Sequence, residues 1–182
     1  MQGVSLAEAA SRALDARPIT WFLAHGHDGD SHDPPRAEMI LQDESATARL
    51  GAELAAILRS GDVVLLSGPL GVGKSTLARA LLQALGHAGE VPSPTFAIVQ
   101  PYEDLSPPVW HVDLFRIESA LEMEELGLDA AANAVLVVEW PERAGESAWP
   151  DALRLSLDFA PDGARRLTAK VPPSWEGRWP PR

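Results

Sequence analysis

Gly68-Pro69-Leu70-Gly71-Val72-Gly73-Lys74-Ser75 fits the pattern G-x-x-x-x-G-K-[ST] of a phosphate-binding loop. Its neighbours on either side turn the match into a site. Upstream, Val63-Val64-Leu65-Leu66 follows the turn pair Gly61-Asp62 and reads as a buried strand. Downstream, Leu77, Leu81 and Leu85 recur one helical turn apart, with Gly86 as a stop signal. In a strand–loop–helix unit the glycines let successive backbone N–H groups curl around phosphate oxygens. Lys74 adds a mobile charge toward the terminal phosphates, and the Ser75 hydroxyl can ligate Mg²⁺. The stretch predicts a nucleotide site in an α/β domain.

The 182 residues, 46% of them hydrophobic, suffice for one domain with a real core. There is no cysteine, so disulfides and thiolate metal sites are excluded. No apolar run approaches the length of a membrane span and no export signal opens the chain, so a cytoplasmic enzyme is the expectation. The net charge of -11 makes a poor non-specific ligand for nucleic acid, whose affinity comes from Lys and Arg neutralising phosphates. Any RNA in the biology is expected to be held by a partner.

Residues 1–37 read as an N-terminal extension, partly disordered, with a short helix possible over Ser5–Arg17. His25, His27, Asp28, Asp30, His32 and Asp33 could hold a divalent metal, although a solvated Gly/Pro-interrupted linker is the favoured reading. Met39 opens the first convincing element and is an alternative translation start, which mass spectrometry of the native N-terminal peptide would decide. The globular domain is expected over residues 38–171. Met39-Ile40-Leu41 is a short strand. Asp43 caps a helix with Leu50, Leu54, Ile57 and Leu58 on one face.

After the phosphate-loop helix, Val91-Pro92-Ser93-Pro94-Thr95-Phe96 is extended. Strands over Phe96–Gln100 and Val109–Phe115 then form an antiparallel hairpin inserted in a mostly parallel sheet. Ala120–Leu126 is an acidic helix with Leu121 and Leu126 inward. Ala134–Trp140 is the most apolar strand. Leu153–Phe159 alternates like a half-exposed edge strand, and residues 166–171 pair with it. Residues 172–182 read as a disordered Pro/Trp tail.

A phosphate loop needs a carboxylate on a neighbouring strand to hold Mg²⁺ and orient the attacking water. Glu139, closing its apolar run, is assigned with Ser75 to the metal. Asp113 alternates onto one face with His111 and Phe115 and is assigned as water-orienting base or as an acid behind the metal; a salt bridge to Arg116 is the plain alternative. His111 is expected to be a satisfied core or supporting histidine. Ser93 and Thr95 could sense the terminal phosphate.

These residues resemble the TsaE (YjeE) family, small bacterial ATPases needed for threonylcarbamoyladenosine (t6A) modification of tRNA. The resemblance rests on six stretches in order: Asp43–Thr47, Gly68–Thr76, Ser93–Phe96, His111–Arg116, Glu124–Gly127 and Glu139-Trp140-Pro141. It covers roughly residues 39–170. It implies a P-loop NTPase that takes ATP and Mg²⁺, with Gly68, Gly71, Val72, Gly73, Lys74, Ser75 and Thr76 around the phosphates. It implies Ser75 and Glu139 at the metal, and Asp113 assisting hydrolysis with Lys74 and Glu139. It also places Trp140 near the nucleotide and Thr47 near the adenine. The implied role is to act on the complex of the partner proteins TsaB and TsaD, touching tRNA only through it. Two departures stand out: Pro69 replaces the family's aspartate and removes a backbone donor, and Ser75 replaces a threonine while keeping the hydroxyl.

Two rivals share the loop. A small-molecule kinase needs an Arg-rich lid, and between the loop's helix and Glu139 only Arg116 offers itself. A nucleotide-sensing interaction module would use the same site without needing turnover.

Overall fold

Among the described residues the phosphate-loop strand lies in the middle of an eight-stranded mixed sheet. The computed structural model describes residues 21–24 and 36–181. Its strands are β1 (Phe22–Ala24), β2 (Arg36–Leu41), β3 (Val63–Ser67), β4 (Val99–Tyr102), β5 (Val109–Asp113), β6 (Val135–Glu139), β7 (Leu153–Phe159) and β8 (Arg165–Lys170). The four central strands β7, β3, β6 and β5 run parallel, while β1, β2 and β8 on one flank and β4 on the other pair antiparallel. The β4–β5 hairpin is the expected insertion. Among the described residues, no helix is long and apolar enough to cross a membrane.

Side-chain alternation on β3 divides the core into two layers. Val64 and Leu66 face a cluster with α1 (Glu44–Ile57) and α2 (Lys74–Ala84), whereas Leu65 faces a second cluster with Val112, Val138 and Ile117. Asp43 caps α1 as expected, its carboxylate accepting from Ala46 N at 2.8 Å. The two helices nearly touch at Gly51, where a Cβ would stand 2.6 Å from Ala80 Cβ and 2.8 Å from the Ala80 carbonyl carbon. That closeness ties the position of α2, and of the loop at its start, to α1.

Several expectations are corrected. β7 is an interior strand between β3 and β8, although its polar face is half-exposed as expected: Arg154, which reaches the carbonyls of Glu146, Ala148 and Trp149, and Ser156 are partly buried, and Asp158 is exposed. Alternation therefore reflected one half-exposed face of an interior strand, not a sheet edge. The strand expected from Phe96 begins only at Val99, because Pro94–Ala97 turn and Ile98 sits at φ 64°. The acidic helix is α3 (Ala120–Glu125); Leu126 packs inward as expected, but Leu121 points out, 67% exposed, and Met123 makes the apolar contact in its place.

The tail is not disordered. Trp175 is fully buried, and Arg178 forks onto the Asp62 carboxylate, Nη2 to Oδ1 at 2.7 Å. Trp179 meets Trp21 edge-on with ring centroids 4.7 Å apart. Nor does the domain begin at residue 38: Phe22–Ala24 pair with residues 36–38, and Met39 is buried mid-strand in β2. The Ser5–Arg17 helix and the histidine–aspartate run lie outside the described residues.

Candidate functional site

Three neighbouring parallel strands end together. The phosphate loop follows β3, Asp113 ends β5 and Glu139 ends β6, with Asp113 in register with Glu139 and Glu139 with Leu66. The carboxyl ends of such strands are where an open α/β sheet leaves its crevice. Here the crevice is a cleft of about 280 Å³. Gly71, Gly73, Lys74, Ser75 and Thr76 line one wall, and Ser93, Thr95, Asp113, Glu139 and Trp140 the other.

Gly71 and Gly73 adopt φ 75° and 117°, which an L side chain would resist, and a Cβ on either would project into open space. They are glycines for backbone shape, leaving a cradle free. Gly68 is a glycine for a second reason: a Cβ there would stand 2.2 Å from the Leu157 carbonyl oxygen. It supports the loop from beneath without lining the cleft.

Lys74 is 4% exposed, and its ammonium donates to the carbonyls of Gly68 at 2.7 Å and Pro69 at 3.0 Å. It also lies 3.9 Å from the centre of the Trp140 ring. Trp140 is held there in a left-handed conformation, φ 58°, at the head of the turn Pro141–Ala144. A strained tryptophan beside a phosphate loop is the sort of outlier that gathers at functional sites. Burial pushes the Lys74 pKa below its ordinary value, with the charges of Glu139, Glu142 and Asp113 opposing the shift.

Two hydrogen-bonded chains face the loop. Ser75 Oγ donates to Glu139 Oε2 at 2.8 Å, and His111 Nε2 lies 2.8 Å from Glu139 Oε1. Asp113 Oδ2 accepts from Thr95 Oγ1 at 2.9 Å while Oδ1 accepts from Phe115 N at 2.9 Å, and Ser93 joins Thr95 at 2.8 Å. Asp113 thus turns to Thr95 and to the backbone rather than making the alternative salt bridge with Arg116. The pair Ser75 and Glu139 offers oxygen donors only, which suits a hard cation such as Mg²⁺. Among the described residues no group of three or more His, Cys, Asp or Glu could hold a metal by itself.

A second cavity of about 250 Å³ adjoins the first across Gly73 and Thr76. Thr47 and Val72 line it with Leu41, Leu157 and Arg165. Arg165 belonged to none of the sequence motifs. Only its distance in the chain, 93 residues from the loop carbonyl it binds, hid it.

Residues 41–167 match the family model described as threonylcarbamoyl adenosine biosynthesis protein TsaE. The chain belongs to the TsaE family. Its TsaE relatives include a Streptomyces coelicolor protein, 49% identical over 115 residues, covering 61% of this chain and 78% of that one. A Bacillus subtilis relative is 36% identical over 129 residues, 70% of this chain and 78% of its own. Both carry the name tRNA threonylcarbamoyladenosine biosynthesis protein TsaE. The crystal structure of Bacillus subtilis YdiB superposes with a TM-score of 0.68 at 28% identity, covering 80% of this chain and 93% of that one. The TsaE match spans β3, β5 and β6 and with them every residue of the cleft.

Proposed function

We propose that this chain is an ATP-hydrolysing component of the tRNA threonylcarbamoyladenosine machinery, acting in the cytoplasm on a complex of TsaB and TsaD and not on tRNA directly. The observation that carries the reading is the convergence of Lys74, Ser75, Asp113 and Glu139 on one cleft in a TsaE-family chain. ATP is the expected nucleotide, its phosphates in the glycine cradle and its adenosine toward the cavity lined by Thr47. Ser75 and Glu139 would hold Mg²⁺, which supplies charge neutralisation between the phosphates.

The remaining work falls to the chain's own groups. Lys74, released from the carbonyls of Gly68 and Pro69, turns its ammonium to the phosphates, where developing negative charge strengthens the contact. His111 holds Glu139 in the orientation that keeps Oε2 on Ser75. Asp113 is positioned to accept a hydrogen bond from the attacking water, and Thr95 couples that carboxylate to the Ser93–Phe96 loop, which would register the terminal phosphate. Trp140 roofs the lysine and reduces water access. The net charge of -11 supports an RNA-bearing partner, since an acidic chain attracts phosphates poorly. Among the described residues no arginine lines the phosphate cleft, which weighs against a kinase.

The test is ATP hydrolysis by the purified chain, alone and with TsaB, TsaD and tRNA. Slow turnover with clear stimulation in the mixture supports the reading. Fast turnover indifferent to those proteins would overturn the partner assignment and leave a different NTPase.

A further inference from the structure

We infer that Arg165 is a positioning residue that sets the phosphate loop for anion binding from the opposite flank of the sheet. The inference rests on the nucleotide reading above and concerns how the loop is held.

Arg165 opens β8 and donates from Nε to the Val72 carbonyl at 2.7 Å. Its guanidinium is itself fixed. Nη1 donates to the carbonyls of Gly163 and Ala164, and the group stacks 5.0 Å from the Phe159 ring centre. A side chain so restrained can impose a direction on what it binds. The Val72 carbonyl belongs to the Val72–Gly73 peptide, and in a planar trans peptide C=O and N–H point opposite ways. Val72 and Arg165 line the second cavity and not the phosphate cleft, while Gly73 reaches the cleft. Anchoring the carbonyl on the Arg165 side therefore turns the Gly73 N–H toward the cleft.

That N–H donates to none of the described residues, so it is free for an anion. The restraint matters because Gly73, at φ 117°, has no side chain to limit its backbone, and the flanking peptides could rotate. Pro69 removes one backbone N–H from the same loop. The orientation of each remaining donor carries more of the affinity.

The experiment measures binding of Mg²⁺·ATP and of inorganic tripolyphosphate by calorimetry, with thermal unfolding, for the wild type, Arg165→Met and Arg165→Lys. Methionine keeps an unbranched stem over Phe159 and loses the donor. Arg165→Met is expected to weaken both ligands alike by roughly tenfold or more, the worth of a charged hydrogen bond. Its Tm should stay near wild type, and Arg165→Lys should recover part of the loss. Unchanged tripolyphosphate binding overturns the inference, including the case where ATP alone is weakened, since Arg165 would then serve the nucleoside. Loss of binding that only tracks a lowered Tm, with no recovery by lysine, overturns it too. A wild type that binds neither ligand would overturn the nucleotide reading itself, and the inference with it.

Discussion

His111 Nε2 and Ser75 Oγ grip the two oxygens of one carboxylate, each 2.8 Å from Glu139. Both His111 and Glu139 are nearly inaccessible to water, and His111 Nδ1 has no partner among the described residues. A buried imidazole left with one idle nitrogen is kept for the bond its other nitrogen makes. We expect His111→Ala to raise the Mg²⁺ concentration needed for half-maximal ATP hydrolysis by about 10- to 100-fold, as loss of an outer partner of a metal ligand does. His111→Gln, which can still donate to the carboxylate, should recover part of it. A Mg²⁺ titration of hydrolysis decides, and an unchanged midpoint would mean Glu139 is oriented without the imidazole.

Asp113 is expected to separate turnover from binding. Its two oxygens are already engaged by Thr95 and Phe115 N, so Asp113→Asn keeps the shape and loses the charge. Hydrolysis should fall by roughly 10²–10⁴-fold, the scale of a lost general base, while ATP affinity changes little. If the variant still sustains threonylcarbamoyladenosine formation in a reconstituted mixture, the chain acts as a nucleotide sensor and not through its turnover.

Lys74 sets a pH dependence whose sign follows from its lowered pKa. Between its folded value and the ordinary lysine value of 10.5, the unfolded chain binds more protons than the folded one. Stability from this group therefore rises with pH across that window and is at its least below it. On the proposed reading the ammonium binds phosphate, so ATP affinity is expected to move the other way, weakening as pH rises through the folded value. Binding measured in two buffers of different ionisation enthalpy should show proton uptake there. Lys74→Arg, charged throughout, should abolish the uptake, and its persistence in that variant would assign it to another group.

Gly51 carries a packing prediction. Gly51→Ala would force a methyl into the Ala80 backbone, and we expect a loss of about 1–3 kcal/mol, typical of overpacking. Because the displaced helix α2 begins with Lys74 and Ser75, ATP binding should weaken along with the Tm. Denaturant unfolding of Gly51→Ala with no change in midpoint would show that the helices can separate freely.

The C-terminal strap is the last test. Trp175→Ala removes a side chain that is 1% exposed and should cost about 3–5 kcal/mol. Arg178→Ala leaves the Asp62 carboxylate, 10% exposed, with Arg59 N as its one partner among the described residues and should cost about 3 kcal/mol. Neither residue approaches the cleft, so ATP affinity at a temperature where the variants stay folded should hold. A tail that can be substituted with no change in Tm would not be part of the fold in solution.

The phosphate loop, its strand and its helix were legible because their signals are local: a glycine pattern, a short apolar run and leucines at helical spacing within two dozen residues. The hairpin and the capped helix at Asp43 were legible for the same reason. What misled was also local. The polar alternation of β7 looked like an edge because alternation reports a half-exposed face and not whether a strand is paired on both sides, and Leu121 looked buried because helical spacing does not say which face meets the core. The prolines and tryptophans of residues 172–182 resembled a free tail, since nothing near them in the chain reveals the Asp62 and Trp21 they pack against.

By itself, then, the sequence determined the chemistry available at this site: a glycine cradle, a lysine, a hydroxyl and two acids, one within a strand and one closing an apolar run. Only the tertiary structure decided that β5 and β6 stand beside β3, so that Asp113 and Glu139 end level with Leu66 and face Ser75 across one cleft. It also decided that Arg165 reaches Val72. Strand order and cross-sheet contacts come from how two apolar faces bury themselves together, which is a property of the whole chain and is written in no short stretch of it.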